Sequence, residues 1–146
     1  MQLSVIDMEP CHVGRVADLE REVFTSPWNE KMLLDTLLGG TSLFLVGVES
    51  DLVGYVGSVT AGDEVSITNV AVFPEHRKKG VGEALVRELI RRAKDLNFSK
   101  IFLEVRVSNA PAISLYEKIG FEIKGTRKNF YTLPREDAFV MTYEIK

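Results

Sequence analysis

Cysteine and proline are scarce in this chain of 146 residues, which contains 1 Cys and 5 Pro. Because Cys11 is alone, an internal disulfide framework and a zinc site built on several cysteines are both excluded. Positive and negative charges are nearly balanced, because the chain has 18 Lys and Arg residues and 21 Asp and Glu residues, for a net charge of −3. An acidic balance argues against general affinity for nucleic acids.

Long apolar runs are absent as well. No stretch approaches the roughly 20 apolar residues of a transmembrane helix, and residues 1–7 lack the basic start and apolar core of a signal peptide. We therefore expect a cytoplasmic protein without membrane contact. A hydrophobic content of 45% and a charged content of 27% are typical of a soluble globular protein. Without repeats or linkers, residues 1–146 are expected to form a single domain.

Hydrophobic spacing predicts four helices and seven strands. The strongest helix is expected from Val81 to Leu96, where apolar residues recur at helical spacing opposite a charged face. The other helices are expected at about 11–24, 30–38 and 109–119. Strands are expected at about 2–8, 42–48, 52–60, 64–73, 101–107, 121–131 and 137–145. This order predicts an α/β (α+β) fold, in which helices cover a mixed sheet.

A cationic, glycine-rich turn, Arg77-Lys-Lys-Gly-Val-Gly82, separates a predicted strand from the strongest helix. Glycine allows close approach to the backbone, and the free N–H groups and dipole of a helix N-terminus favour an anion such as a pyrophosphate. The Walker pattern is absent, and the dinucleotide pattern G-x-G-x-x-G fails at Leu85. The same residues are also compatible with a simple helix start whose cations are solvated.

Several segments in register resemble the acetyl-CoA-binding core of the GNAT acyltransferase superfamily. They are Asn69–Val72, Pro74, Arg77–Leu85, Leu103–Arg106, Ser108–Asn109, Ala112, Leu115–Glu117 and Gly120–Phe121. Each motif is weak alone, but together they follow one another in the right order over a span of about 55 residues. The resemblance implies the GNAT fold, with a mostly antiparallel sheet of about seven strands flanked by about four helices. It also implies acetyl-CoA as co-substrate and no metal.

Within that superfamily the chain is most similar to the RimI branch, whose bacterial members acetylate the N-terminal alanine of a small-subunit ribosomal protein. The matching segments are Pro27–Glu30, Leu103–Arg106, Arg127–Tyr131 and Glu136–Ala138. The resemblance implies acetyl transfer to the N-terminal α-amino group of a protein, with a ribosomal protein as partner. Ser26 and Phe130 replace residues common in that branch, which puts the acceptor in question more than the reaction. The alternatives are acetylation of a small-molecule amine or a lysine side chain, and a non-catalytic acetyl-CoA-binding module.

The resemblance also implies which residues bind the cofactor. The backbone of Val70, Ala71 and Val72 is expected to pair with the amides of the pantetheine arm. The pyrophosphate is expected to contact Arg77, Lys78, Lys79, Gly80, Val81, Gly82 and Glu83, largely through backbone N–H groups. Asn109 is expected to bind the pantetheine region, to cap the following helix, or to do both.

Glu104 is the candidate base and Tyr116 the candidate acid. An α-ammonium group must lose a proton before it can attack a thioester. Strand alternation places Glu104 on the same face as Arg106, so the residues alone also allow a simple ion pair. The resemblance assigns Glu104 the role of proton acceptor and Tyr116 that of proton donor to the leaving thiolate, in place of a packing role.

Two aromatic residues, Trp28 and Tyr131, are candidates to bind the acceptor peptide, because aromatic side chains offer rigid contact area. Both are equally plausible as ordinary core residues. The pair Cys11–His12 is rejected as a nucleophilic dyad, since neighbouring side chains on a helix point apart. Cys11 is expected to be a small buried residue.

Overall fold

Seven strands and four α-helices make up residues 2–146, the part of the chain that this computed structural model describes. In chain order they are β1 (Ser4–Asp7), α1 (Val13–Val23), α2 (Glu30–Leu38), β2 (Ser42–Val48), β3 (Leu52–Ala61), β4 (Glu64–Val72), α3 (Val81–Asp95), β5 (Lys100–Arg106), α4 (Ala110–Ile119), β6 (Glu122–Thr132) and β7 (Arg135–Glu144). Short 3-10 turns at Pro10–His12 and Pro74–His76 precede α1 and follow β4.

All seven strands belong to one sheet in the order β1-β2-β3-β4-β5-β7-β6. Neighbouring strands are antiparallel except β4 and β5, which are parallel. The predicted class, a mixed and mostly antiparallel sheet with four helices, is confirmed. Among residues 2–146, no helix is both long and apolar enough to span a membrane.

The helices cover both faces of the sheet, because alternate residues of a strand point to opposite sides. In β2, Phe44 and Val46 are buried in the cluster that contains α1 and α2. Leu45, between them, is buried in the larger cluster with α3 and α4. The sheet therefore separates two apolar cores.

Local signals explain most helix boundaries. The Asn29 side chain accepts the Met32 N–H at 2.9 Å and caps α2. Gly120, with φ 126°, ends α4 in a conformation that favours glycine. Leu96, which was predicted to extend the buried stripe of α3, is instead 57% exposed. It lies at the C-cap, where the chain has left the helical path and the apolar face no longer continues.

Candidate active site

Two neighbouring strands separate near the centre of the sheet. β4 and β5 pair only where Glu64–Ser66 face Lys100–Phe102. From residue 67 to residue 72, the pairs of β4 within the described chain are with β3 alone. The edge of β4 that faces β5 therefore offers unpaired-strand backbone to a ligand that carries amides. This segment contains Val70, Ala71 and Val72, the residues predicted to bind the pantetheine arm.

The turn between β4 and α3 has the conformation expected of an anion site. Gly80 is the N-cap of α3 with φ 81°, and Lys78 also has a left-handed backbone with φ 63°. Glycine adopts such a positive φ without steric cost. The first N–H groups of α3 have no acceptor within the helix, and the macrodipole places positive charge at this end. Lys78 and Lys79 add two cations beside them.

A cavity of about 220 Å³ lies between this turn, the end of β4 and α4. Its lining consists of Val72, His76, Arg77, Lys78, Gly80, Val81, Gly82, Glu83 and Leu115. The Nε–H of Arg77 donates to the Val72 carbonyl at 3.2 Å and fixes the turn to β4. The structure thus brings most of the predicted cofactor residues around one space, together with His76 and Leu115, which were not predicted.

The remaining predicted cofactor residues lie outside this lining. Lys79 is exposed in the same turn, and Val70 packs partly buried on the α3 side of the sheet. Ala71 is buried on the opposite side, among residues of the α1 cluster. Asn109 caps α4, because its Oδ1 accepts the Ala112 N–H at 3.3 Å. Contact of Asn109 with the cofactor stays a prediction.

The charge of Glu83 is balanced within the protein. Its carboxylate accepts from Arg87 at 2.8 Å and from Lys118 at 3.0 Å. These cations, Arg87 foremost, hold the pKa of Glu83 below its usual value. The Glu83 carboxylate is therefore compensated and leaves no unpaired negative charge beside the turn.

Glu104 lies on the partly exposed face of β5, as strand alternation predicts. Its side chain is 17% exposed, and one carboxylate oxygen is 3.4 Å from the Nε of Arg127. The alternative pairing of Glu104 with Arg106 is wrong, because Arg106 pairs with Glu136 at 3.2 Å. Arg127 on β6 instead orients the Glu104 carboxylate from one side.

The phenol of Tyr131 lies close to this carboxylate, and the phenol of Tyr116 lies close to Tyr131. Tyr116 is buried at 8% exposure and packs against Phe121, with ring centroids 5.7 Å apart. Burial, together with the nearby Tyr131, raises the pKa of Tyr116 to about 12. Burial also raises the pKa of Tyr131, an effect that Arg106 opposes and Glu104 reinforces. These couplings place Glu104, Tyr116 and Tyr131 in one neighbourhood.

Arg106 attaches the turn between β6 and β7 to the end of β5. Its Nη1 donates to the Pro134 carbonyl at 2.9 Å, and its Nη2 donates to the Leu133 carbonyl at 3.0 Å. The guanidinium carbon lies 4.2 Å from the centroid of the Tyr131 ring, a cation–π geometry. Arg106 therefore fixes Tyr131 at the site rather than partnering Glu104.

The α1–α2 loop (residues 24–29) lies beside the β6–β7 turn. The Thr25 hydroxyl donates to the Leu133 carbonyl at 3.1 Å. Trp28 is half-buried, and its ring centroid is 6.4 Å from that of Phe44. Trp28 and Tyr131, the two residues predicted to bind the acceptor, thus belong to adjoining segments. Each combines packing with an accessible part, and contact of either residue with an acceptor stays a prediction.

The chain was compared with models of known protein families. The model of the acetyltransferase (GNAT) family matches residues 13–121. The match includes the β4–α3 turn, Glu104 and Tyr116. The chain belongs to the GNAT acetyltransferase family. Its expected enzyme class, an acyltransferase, is thereby confirmed.

Individual relatives indicate which branch of the GNAT family this chain is most similar to. A Bacillus subtilis (strain 168) protein, provisionally named a [ribosomal protein bS18]-alanine N-acetyltransferase, is 39% identical over 94% of this chain and 93% of its own length. The crystal structure of the ribosomal-protein-S18-alanine N-acetyltransferase from Escherichia coli has a TM-score of 0.91 at 30% identity, covering 99% of this chain and 95% of that one. The resemblance to the RimI branch is therefore confirmed.

More distant GNAT structures share the fold. The crystal structure of Arabidopsis thaliana NAA60 in complex with acetyl-CoA has a TM-score of 0.88 at 19% identity, covering 99% of both chains. At this identity the comparison supports the architecture, including the single mixed sheet. Residue roles in this GNAT chain rest on its own geometry.

Spacing did not indicate every residue that shapes this GNAT site. Glu20 on α1 is fully buried and accepts the backbone N–H of Trp28 at 2.8 Å. A signal was available, because Glu20 interrupts the apolar face that Val16 and Phe24 mark at intervals of four residues. Arg127 could not have been found in this way, since the register of β6 places it near Glu104.

The expectation for Cys11 is wrong. Cys11 is exposed, and its Sγ lies within 4.8 Å of ligand atoms of Glu9 and His12, the one such trio of possible metal ligands among residues 2–146. The side chains converge because the segment is a 3-10 turn and not part of α1. The Nδ1 of His12 already accepts the Glu9 N–H at 2.9 Å, so this imidazole caps the turn.

Proposed function

We propose that this chain transfers the acetyl group of acetyl-CoA to the N-terminal α-amino group of a protein. The observation that carries this proposal is that Glu104 lies on β5 beyond its pairing with β4, close to Tyr131, which in turn lies close to Tyr116. These three residues would supply a base, an acid and an aromatic contact surface for the acceptor, and the open edge of β4 would receive the pantetheine arm. The named relatives support the N-terminal alanine of ribosomal protein bS18 as the acceptor. A ribosomal acceptor would place the reaction in the cytoplasm.

The proposed chemistry begins at the amine. Glu104, directly or through a water molecule, accepts a proton from the α-ammonium group and frees its lone pair. The amine nitrogen then forms a bond with the thioester carbonyl carbon, and the carbonyl oxygen gains negative charge. Backbone N–H groups on the open edge of β4 are suited to stabilise that charge.

The proposed second step breaks the carbon–sulfur bond. As the electron pair leaves with the sulfur, the nitrogen loses its second proton to water and the amide forms, while Tyr116 gives its proton to the thiolate of CoA. Burial raises the pKa of Tyr116 to about 12, so the phenol carries the proton that this role requires at neutral pH. Bulk water then returns a proton to Tyr116 while Glu104 releases the proton it took from the amine.

The test of the function is a release assay for free thiol with a panel of acceptors. The panel contains short peptides that start with Ala, Ser or Met, the same peptides with a blocked N-terminus and an internal lysine, and a polyamine. We expect turnover of the Ala peptide and none of the blocked peptide. Turnover of the polyamine or the internal lysine alone would contradict the proposal, as would acetyl-CoA binding without any turnover.

Removing the phenol with Tyr116→Phe is expected to lower kcat by roughly 100-fold, the lower end of the usual contribution of a proton donor. The ring contact with Phe121 is kept. Since the proton is lost only as the pH rises through about 12, wild-type kcat should stay level from pH 8 to pH 10. The measurement is a pH–rate profile of both proteins.

Tyr143→Phe is the matched control for that variant. Tyr143 also packs against Phe121, with centroids 5.5 Å apart, but it lies on β7 away from the proposed acceptor residues. Its kcat should remain close to that of the wild type. Equal losses in both variants would show that the effect of Tyr116→Phe comes from packing and would remove Tyr116 from the mechanism.

A further inference from the structure

A carboxylate is buried in the smaller core, where apolar side chains surround it. Glu20 on α1 has 0% exposure and lies among the residues of the α1 cluster. Moving an ionised carboxylate from water into such a place costs several kcal/mol unless donors replace its hydration. The donors that meet it therefore indicate what the residue holds in place.

Three donors from three different segments converge on Glu20. One oxygen accepts the backbone N–H of Trp28 at 2.8 Å, from the α1–α2 loop. The other accepts the Tyr55 hydroxyl of β3 and the Nδ2 of Asn69 of β4, the latter at 2.5 Å. Asn69 also donates to the Tyr55 hydroxyl at 3.0 Å, which closes the network. Burial and the charge of Glu20 both raise the pKa of Tyr55, so the phenol remains a donor.

The position of Asn69 in β4 connects this network to the cleft. The register between β3 and β4 shifts after the pair Gly57–Asn69, so Asn69 borders an irregularity in the strand. Directly after it come residues 70–72, on the strand edge that does not pair with β5. Glu20 therefore bridges the loop that carries Trp28 and the strand segment next to the open edge.

We propose that Glu20 is a positioning residue that sets the α1–α2 loop at a fixed distance from β4, and thereby aligns the acceptor amine with the thioester. This inference rests on the proposed function, which places the acceptor at the loop and the thioester at the strand. Glu20 itself contacts neither substrate. Its effect passes through Trp28 on one side and Asn69 on the other.

The first test is Glu20→Gln. The amide oxygen can still accept from Trp28, but the amide nitrogen then faces the Nδ2 of Asn69, donor against donor. We expect kcat/KM for the peptide to fall about 10- to 100-fold, since a misplacement of about 1 Å can cost about 100-fold. KM for acetyl-CoA should change by less than about two-fold, because the β4–α3 turn is not part of the network.

A second variant restores the complementarity. In the double variant Glu20→Gln with Asn69→Asp, the introduced amide donates to the introduced carboxylate, and Tyr55 donates to the same carboxylate. The direction of the central hydrogen bond is reversed and every donor again has an acceptor. We expect recovery of most of the peptide kcat/KM. If Glu20 only supported stability, its replacement would lower Tm but would not lower kcat/KM for the peptide while leaving KM for acetyl-CoA unchanged.

An optical readout makes the test independent of turnover. Trp28 is the single tryptophan of the chain, so its fluorescence reports the α1–α2 loop alone. Quenching by acrylamide, measured without substrates, should increase in Glu20→Gln and return towards the wild-type value in the double variant. Glu22→Gln, an exposed carboxylate on the same helix, is the control and should change neither readout.

The outcomes separate this inference from the proposed function. Unchanged peptide kcat/KM and unchanged quenching in a folded Glu20→Gln protein would overturn the role of Glu20. A fall in kcat/KM for the peptide together with a raised KM for acetyl-CoA, neither restored by Asn69→Asp, would overturn it as well. If the wild type acetylates no peptide, the proposed function fails, while quenching and its rescue still decide whether Glu20 positions the loop.

Discussion

Replacing Glu104 with Gln is expected to lower kcat for peptide acetylation by about 100- to 10,000-fold, the usual range for losing a general base. Glutamine has nearly the same shape and can still meet Arg127, which lies 3.4 Å from the carboxylate. It cannot take a proton from the α-ammonium group. The affinity for acetyl-CoA should be retained, because the cavity at the β4–α3 turn does not include Glu104.

The pH dependence gives this prediction a second signature. The α-amino group of a peptide has a pKa of about 8, so a growing fraction of it is already unprotonated as the pH rises. The Glu104→Gln enzyme should therefore regain part of its rate between pH 7 and pH 9.5. Glu117→Gln, an exposed carboxylate on α4, is the control. A folded Glu104→Gln enzyme with a kcat within about three-fold of the wild type would exclude Glu104 as the base.

The elements of this fold could be predicted because their signals are local. The apolar stripe of α3, the capping residues Asn29 and Asn109 and the stop at Gly120 each act within a few residues. Period-two alternation likewise placed Glu104 on the face opposite Leu103 and Val105. Such signals determine a helix or a strand without reference to the rest of the chain.

The partners of charged residues could not be predicted in the same way. Arg106 was expected beside Glu104 because the two share a strand face, yet it binds the β6–β7 turn about 27 residues further along the chain. Arg127 meets Glu104 only through the register of three strands. Such contacts depend on sheet order and on strand irregularities, which spacing within one element does not contain.

The partners of buried polar residues could not be predicted from spacing either. Glu20 sits at helical spacing on an apolar face, which identifies it as unusual but does not name its partners. Tyr55 and Asn69 reach it across 35 and 49 residues of sequence. The spacing of α1 can thus indicate that a buried charge needs donors, and only the fold can supply them.

A substitution in the glycine turn is expected to affect protein stability and acetyl-CoA binding in different directions. A Cβ at Gly82 would lie 3.7 Å from Leu115 and 3.9 Å from Val72, which are ordinary contacts. An acidic side chain in the first turn of a helix is favourable to the macrodipole, typically by about 0.3–1 kcal/mol. Gly82→Asp should therefore fold with an unchanged or slightly higher Tm. Gly80→Asp is less informative, because φ 81° strains any other residue there.

Binding should move in the opposite direction in Gly82→Asp. A carboxylate about 4 Å from a phosphate charge costs on the order of 1 to 4 kcal/mol, depending on the local dielectric. That cost corresponds to a Kd for acetyl-CoA raised by roughly 5- to 1000-fold. Gly82→Asn has the same size without the charge, so the difference between the two variants isolates repulsion from steric exclusion. Calorimetric titration with acetyl-CoA, beside thermal unfolding, measures both quantities.

The Kd of the Gly82 variants for acetyl-CoA should also depend on the salt concentration. Repulsion between partly exposed charges is screened over a Debye length of about 10 Å at 0.1 M salt. The excess loss in Gly82→Asp over Gly82→Asn should therefore shrink as salt is raised, whereas a steric loss would not. An unchanged Kd in a folded Gly82→Asp protein would place the pyrophosphate elsewhere, despite Gly80, Lys78 and the cavity beside them. A rise in Kd with a stable fold is expected because the pyrophosphate is proposed to bind at this turn, whereas the protein atoms nearest to a Cβ at Gly82 lie at ordinary contact distances.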